Sequence, residues 1–230
     1  MNVIYEDNHL IVVNKSPSEI VQGDKTGDTP LSDEVKSYLK TKYNKSGEAF
    51  LGVIHRLDRP VSGIVIFAKT SKALTRMNEL LSNNELKKYY WAIVCKQPQP
   101  EEAVLTDYIE KNEKLNKSFV VANDSKKAKK ATLAYRLLAA SDNYFLVEIE
   151  LFTGRHHQIR VQLANIGCPV KGDLKYGAPT SNKDASISLH ARKVSFVHPV
   201  NKELLTLEAP PPNDPLWNFF QSTVIKSQIS

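Results

Sequence analysis

A chain of 230 residues is long enough to bury a sizeable core, either as one large domain or as two small ones. Its composition, 41% hydrophobic and 24% charged, is that of an ordinary soluble globular protein, and no apolar run approaches the length of a membrane span. The net charge of +6 and the pI of about 9.1 suit a polyanionic partner, although a mildly basic balance does not by itself identify one.

Two features predict a cytoplasmic protein. Residues 1–15 carry acidic side chains early and lack the basic region and long apolar core of a signal peptide. Cys95 and Cys168 are the only cysteines, lie far apart and sit among apolar residues, so we predict two buried, reduced thiols rather than a disulfide. We expect a monomer that contacts no membrane.

The beginning of the chain predicts short strands and one amphipathic helix. Residues 3–5 and 10–13 read as two strands joined by a polar turn. Thr29 and Pro30 predict a helix start with the Thr29 hydroxyl as its cap, because apolar residues recur at helical spacing behind them. A short strand over 50–54 then leads into the most unusual stretch of the sequence.

That stretch, HRLDRPVSGIVIFAKT at 55–70, is a charged turn followed by an apolar run of strand length. Asp58 lies between Arg56 and Arg59, whose charges favour the ionised carboxylate, and Pro60 stiffens the turn. Such a turn suits an anionic nucleophile or a contact with phosphate groups. On residue types alone, a surface ion pair of little consequence is the favoured reading.

Behind this turn the sequence predicts a helix over 71–81 capped by Ser71, and a strand over 87–94. Further short strands are predicted over 103–109, 118–122, 132–138, 144–151 and 204–208. Three aromatic residues near the end of the chain are expected to pack on the core: Trp217, Phe219 and Phe220.

A dense basic cluster lies between two of these strands and consists of Lys126, Lys127, Lys129 and Lys130. A run of this kind is usually a solvated face. The overall basic balance also allows it to contact an RNA backbone.

A second informative stretch, 153–167, predicts a helix with Thr153 as its N-cap and Gly167 as its terminator. A helix would splay the adjacent His156 and His157 by about 100°, and no partner at metal-binding spacing follows, so we predict no metal site. His156 and Arg160 are four residues apart and are expected to share a face near the helix start, which suits an anion.

Three blocks of the sequence resemble the RluA family of pseudouridine synthases. The first is HRLD at 55–58 with Ser-Gly and the apolar strand behind it, and the second is the Lys-x-Tyr-x-Ala-x-Val pattern within 88–94. The third is GRHHQIR at 154–160, followed by Gly-Asp and Tyr-Gly within 172–177. The blocks keep the family's order, and the resemblance extends over about residues 3–220.

The resemblance implies an α+β fold: a mixed, mostly antiparallel curved sheet with flanking helices and a central active-site cleft. It implies a single catalytic domain over residues 1–230. Many members carry a small RNA-binding domain in front, and since the catalytic pattern already begins at Val3, we expect that domain to be missing. The implied activity is isomerisation of specific uridines in structured RNA, ribosomal or transfer, without cofactor or metal.

The resemblance also implies roles for individual side chains. Asp58 matches the family's nucleophile, Arg160 the basic residue that pairs with it, and Tyr90 the aromatic residue that stacks on the uracil. Arg56 would fill the space that the target nucleotide vacates in the RNA. The other residues predicted to bind RNA or the base are His55, Lys88, Arg155, His157 and Leu189.

Two other classes of function stay open. One is a non-catalytic RNA-binding or RNA-chaperone module on the same scaffold, against which the presence of Asp58, Tyr90 and Arg160 argues. The other is a metal-dependent hydrolase built on the histidines, which insensitivity to a strong chelator would exclude.

Overall fold

A computed structural model describes residues 1–24, 27–44 and 46–229, with the backbone alone for 228 and 229. Within these residues the chain forms eleven strands: β1 (Asn2–Glu6), β2 (Leu10–Lys15), β3 (Gly52–Val53), β4 (Ser62–Ala68), β5 (Lys87–Val94), β6 (Glu102–Asn112), β7 (Lys117–Val121), β8 (Lys129–Ala140), β9 (Phe145–Leu151), β10 (Leu189–Val197) and β11 (Leu204–Glu208). The same residues form four α-helices: α1 (Leu31–Lys42), α2 (Ser71–Ser82), α3 (Gln158–Asn165) and α4 (Pro215–Ile229).

The chain divides into two compact units, and the first comprises Met1–Lys87 and Ala191–Pro211. Strands β1, β2 and β4 pair antiparallel in that order, β3 pairs antiparallel with β4, and β10 pairs antiparallel with β11. Every residue of β4 is buried, because its continuous apolar sequence has no polar face to turn outward. The predicted strand behind the charged turn is therefore confirmed, and it begins two residues earlier than the apolar run.

Gly63 sets the position at which β4 leaves the charged turn. Its φ of +113° lies in the region that favours glycine, and an added Cβ would overlap the backbone of Ala191. The glycine thus permits the close approach of β4 and β10 within the first unit.

Glu6 ties the end of β1 to α1 and to the end of β4. Its carboxylate accepts hydrogen bonds from Tyr38, Lys42, Tyr43 and Lys69. Burial opposes ionisation, but these four donors outweigh it and lower the pKa of Glu6 to about 2. The carboxylate is therefore charged at neutral pH and ties β1 to α1 and to the end of β4.

The second unit comprises Lys88–His190 and Pro212–Ser230. Its strands follow the order β5-β9-β8-β6-β7, and every pairing in this series is antiparallel. Helix α3 packs through Val161 on Ile109 and Ala131, which belong to β6 and β8. The prediction of an α+β fold with mostly antiparallel strand pairing is confirmed.

Helix α4 closes one apolar cluster of the second unit. Trp217 and Phe220 pack against Trp91, Ile93 and Leu146, as the aromatic composition of this segment predicts. The prediction for the neighbouring Phe219 is wrong: this side chain is 47% exposed, because it lies on the outer face of α4.

Three predicted helix starts need correction. Helix α2 is capped by Thr70, whose hydroxyl accepts from the amide of Ala73, and not by Ser71. Helix α1 has Pro30 at its N-cap position and no side-chain cap, so Thr29 does not cap it. Helix α3 begins at Gln158, four residues later than predicted, because its N-cap position is His157 and not Thr153.

The cysteines match the prediction in part. Cys95 and Cys168 are free thiols, and burial raises the pKa of both, but Cys95 is only half-buried. Along the described chain, every helix is too short or too polar to cross a membrane.

Candidate active site

The first part of the candidate site is the turn between β3 and β4. The amide of Val61 donates to the carbonyl of Asp58 over 3.0 Å, which closes the turn that carries the carboxylate. Leu57 is buried and anchors the turn, whereas Asp58 is half-buried and Arg56 is exposed. His55 lies beside β4, where its Nε2 accepts from the amide of Ile66 over 3.3 Å. A buried anchor beneath an accessible carboxylate and an exposed arginine is suited to a ligand that approaches from solvent.

The buried side chain of Lys15 stabilises this turn. It is 1% exposed, and its ammonium donates to the carbonyls of Ser16, Glu19 and Arg59 over 2.9, 2.8 and 3.1 Å. Burial lowers the pKa of Lys15 to about 8, so at pH 7 the ammonium still supplies three N–H donors to three carbonyls. Its charge also acts on Asp58, one residue before the Arg59 carbonyl that it binds. Lys15 therefore fixes both the position and the electrostatic surroundings of the turn.

We expect Lys15→Met to destabilise the protein by about 1–3 kcal/mol for each carbonyl that water does not reach after the ammonium is removed. Activity should fall together with stability, because the Arg59 carbonyl anchors the turn of Asp58. Urea unfolding and product formation test this expectation, with the exposed Lys72→Met as the matched control. Equal unfolding midpoints for the two variants would contradict it.

Arg59 is directed to two acidic residues of the first unit. Its Nη2 lies 2.7 Å from Asp28 and 3.6 Å from Asp24. Hydrogen bonding to Asp28 raises the pKa of Arg59. The Arg59 guanidinium, which follows Asp58 in the sequence, thus has carboxylate partners of its own.

The second part of the candidate site, in the second unit, begins on β5. Lys88 and Tyr90 lie on one face of this strand and Tyr89 on the other, since side chains alternate along a strand. The Tyr89 hydroxyl donates to Glu150 on β9 over 3.4 Å, while Tyr90 is 7% exposed. Burial lowers the pKa of Lys88. The choice of Tyr90, rather than Tyr89, as the tyrosine of the site stays a prediction.

The start of α3 differs from its prediction because His157 adopts a left-handed conformation, with φ of +54°. Thr153 is not a cap: its hydroxyl accepts from the amide of Thr132 and donates to Gln158. His156 therefore precedes the helix and shares no helical face with Arg160. The two histidine rings are stacked at 3.8 Å instead of splayed, and the described residues contain no group of three or more potential metal ligands.

His157 is buried, and its Nδ1 lies 2.9 Å from the hydroxyl of Tyr176. Burial, and next the charge of Arg160, lowers the pKa of His157 to about 2. The imidazole is therefore neutral at neutral pH and acts as a hydrogen-bonding group. Its predicted contact with RNA stays a prediction.

Arg160 projects from the first turn of α3 and is 5% exposed. Its Nε and Nη2 donate to the two carboxylate oxygens of Asp173 over 2.6 and 2.9 Å. The guanidinium carbon lies 5.0 Å from the centre of the Tyr176 ring. The sequence patterns contained Asp173 and Tyr176 but gave them no role, because only the fold brings residues 13 and 16 positions further along the chain back to Arg160.

Three further residues that were predicted to bind RNA or the base lie in different surroundings within the second unit: Arg155, Lys88 and Leu189. Arg155 is exposed, and its Nε donates to the carbonyl of Lys130 over 3.0 Å. Gly154 lies close to Lys88: a Cβ added at Gly154 would be 3.7 Å from the lysine Nζ. Leu189 is buried at the first residue of β10.

The side chains predicted to act together are distributed over the two units. Asp58 belongs to the first, and Tyr90 and Arg160 belong to the second. The predicted pairing of Asp58 with Arg160 and the roles of all nine predicted site residues stay predictions.

Comparison with known proteins gives a consistent result. A family profile described as RNA pseudouridylate synthase matches residues 9–165. The chain is 30% identical over 227 residues to tRNA pseudouridine synthase C of Vibrio cholerae, covering 91% of this chain and 90% of that protein. It is 29% identical over 225 residues to ribosomal large subunit pseudouridine synthase D of Zymomonas mobilis, covering 93% of this chain and 70% of that protein.

Solved structures show the same fold. Human RNA pseudouridylate synthase domain containing 4 superimposes with a TM-score of 0.80 at 24% identity, covering 97% of this chain and 93% of the other. Some bacterial relatives are longer, and the chain spans 66% and 65% of the length of two of them.

Proposed function

Since this chain belongs to the RNA pseudouridylate synthase family, we propose that it converts specific uridines of structured RNA to pseudouridine. The observation that carries the proposal is the 30% identity to a tRNA pseudouridine synthase over nine-tenths of both chains. Related proteins are named for transfer RNA and for ribosomal RNA, so both are candidate substrates.

The proposed chemistry is an isomerisation. The bond between uracil N1 and ribose C1′ breaks, the base turns, and C5 bonds to C1′ while the proton of C5 is lost and N1 gains one. Atoms and electrons balance without a redox partner. A carboxylate nucleophile supplies the transient bond, and we assign this role to Asp58, whether the attack falls on the ribose or on the uracil ring.

The remaining assignments follow from the family resemblance. Tyr90 would stack on the uracil, and Arg160 would be the basic residue that pairs with the nucleophile. The exposed Arg56 would fill the space left when the target nucleotide leaves its helix, which costs a few kcal/mol. Phosphate contacts elsewhere on the protein would offset part of that cost.

Mapping pseudouridines in cells with and without the gene tests the proposal and identifies the RNA. We expect one or a few sites to disappear from transfer or ribosomal RNA, and the purified protein to restore them on RNA from the deletion strain. An unchanged map, together with RNA binding that yields no product, would favour the non-catalytic RNA-binding module.

We also propose that residues 110–130 contact the RNA backbone. This segment carries seven lysines and three acidic residues, which accounts for +4 of the chain's net charge of +6. Lys126, Lys127, Lys129 and Lys130 are all exposed, and the aromatic ring of Phe119 on the adjacent β7 is 39% exposed. Exposed lysines next to an exposed ring suit a polyanion that also offers bases for stacking.

Changing these four lysines together to Gln should weaken RNA binding without affecting turnover. We expect KM for RNA to rise about 10-fold at moderate salt, and the slope of log K against log salt to become shallower by about 0.7 for each phosphate group that the variant no longer binds. A fourfold variant at Lys40, Lys72, Lys183 and Lys202, all exposed, makes the same charge change as a control. Identical salt slopes for the two variants would exclude the segment as a specific RNA-binding surface.

A further inference from the structure

The Arg160–Asp173 pair is unusual in its burial. The arginine side chain is 6% exposed and the aspartate side chain 1%, and the contact is bidentate. Removing two charges from water costs about as much as their attraction returns, so a buried ion pair is weak evidence of stabilisation. What the fork geometry does supply is a fixed orientation of the guanidinium plane.

Tyr176 restrains the same guanidinium from the ring side. The ring lies 5.0 Å from the guanidinium carbon, a distance at which the cation is attracted to the aromatic face. The Tyr176 hydroxyl is itself fixed, because it accepts from the amide of Ser118 over 2.8 Å and lies 2.9 Å from the Nδ1 of His157. The Tyr176 hydroxyl therefore has two partners, the Ser118 amide and the neutral His157 imidazole, which together fix its position.

Ser118 links this arrangement to the loop before α3. Its hydroxyl donates to the carbonyl of His156 over 2.7 Å, so the 2.8 Å contact with His156 Nδ1 uses the imidazole as the donor. His157 is adjacent and stacked on His156. Three segments are therefore joined around Tyr176, whose ring lies beside Arg160: β7, the start of α3 and the turn that contains Asp173.

The turn that carries Asp173 has little freedom. Gly172 has φ of +89°, and an added Cβ would overlap the carbonyl of Ser186 and the side chain of Asn182. The carbonyl of Asp173 accepts from the amides of Tyr176 and Ala178, each over 3.0 Å. The same backbone turn thus sets the carboxylate and the ring at their distances from Arg160.

We propose that Asp173 and Tyr176 are positioning residues for Arg160: the carboxylate orients the guanidinium plane, and the ring, held by Ser118 and His157, restrains its face. The inference rests on the proposed function, in which Arg160 acts on Asp58. It adds that turnover depends on the Asp173 carboxylate and the Tyr176 hydroxyl, although neither group needs to touch the RNA.

Asp173→Asn and Tyr176→Phe test the proposal. Asparagine keeps the volume but gives up the charged fork, and phenylalanine keeps the ring but gives up the hydroxyl. We expect kcat to fall about 100-fold for Asp173→Asn and about 10-fold for Tyr176→Phe, with KM for RNA within about 3-fold of wild type. Tyr135→Phe is the matched control, because it removes another buried hydroxyl, bonded to the Pro100 carbonyl, and should leave kcat unchanged.

A double-mutant comparison separates positioning from general stability. In an Arg160→Met background, Asp173→Asn should change the residual rate less than about 3-fold, because the group it positions is gone. The same loss in both backgrounds, with folding confirmed by circular dichroism, would overturn the proposal. So would a folded Tyr176→Phe or Asp173→Asn protein with wild-type kcat.

A readout that needs no activity keeps this inference distinct from the proposed function. With ¹⁵N-arginine labelling, the Nε–H of Arg160 should exchange slowly in the wild-type protein and rapidly in Asp173→Asn. If wild-type protein makes no pseudouridine, the proposed function fails whatever the exchange shows. If wild-type protein is active and the Nε–H exchanges equally in both proteins, only the positioning inference fails.

Discussion

Asp58→Asn protein is expected to bind its RNA with near wild-type affinity and to form no pseudouridine. The amide keeps the shape of the carboxylate but lacks its nucleophilic charge, so we expect a rate loss of at least about 10⁴-fold. The turn itself should persist, because its anchors are backbone groups: the Asp58 carbonyl, which accepts from Val61, and the Arg59 carbonyl, which accepts from Lys15. RNA binding and single-turnover product formation measure the two expectations separately.

The control for this variant is Asp142→Asn, which makes the same chemical change in an exposed hairpin turn. It should retain full activity. Freshly prepared Asp58→Asn protein is needed, since slow deamidation would regenerate the aspartate. Product formed by protein free of the regenerated acid would remove Asp58 from the role of nucleophile.

The strand that carries this site was predictable because one local pattern determines it. Residues 64–68 are all apolar, and such a run can be satisfied only by burial on both faces. The structure buries all of β4. Strand β5 was also predictable from a local pattern. Its side chains alternate between two faces, so Tyr90 shares a face with Lys88, and Tyr89, on the other face, binds Glu150.

The start of α3 was not predictable from local signals, because contacts distant in sequence determine it. Thr153 is followed by a plausible helical pattern, yet its hydroxyl is used by Thr132, which lies 21 positions earlier in the chain. The Gln158 side chain in turn accepts from Thr153 and from the amide of Arg155, and its amide donates to the Thr132 carbonyl. With these groups engaged, the backbone turns at His157 and the helix begins one residue later.

The candidate site shows the same division between local and distant information. The resemblance gave Arg160 one partner, Asp58, whereas the structure places Asp173 on two of its nitrogens. A guanidinium has five N–H donors in a fork, so serving a second carboxylate is within its capacity. Sequence motifs identify which residues matter, but the number of groups that share one arginine is a property of the folded chain.

Arg160→Met is the variant with the second largest expected effect, and two separate consequences should follow. The rate of product formation should fall about 10³-fold or more, because the reaction loses the positive charge that we propose pairs with the nucleophile. The protein should also lose about 3–5 kcal/mol of stability, since the 1%-exposed carboxylate of Asp173 is left without the guanidinium. Arg160→Met/Asp173→Asn removes that buried charge and should recover most of the stability while staying inactive. Urea unfolding and single-turnover rates, measured on both proteins at a temperature where circular dichroism shows them folded, separate the two effects. A double variant that regains activity along with stability would show that Arg160 contributes to the fold alone.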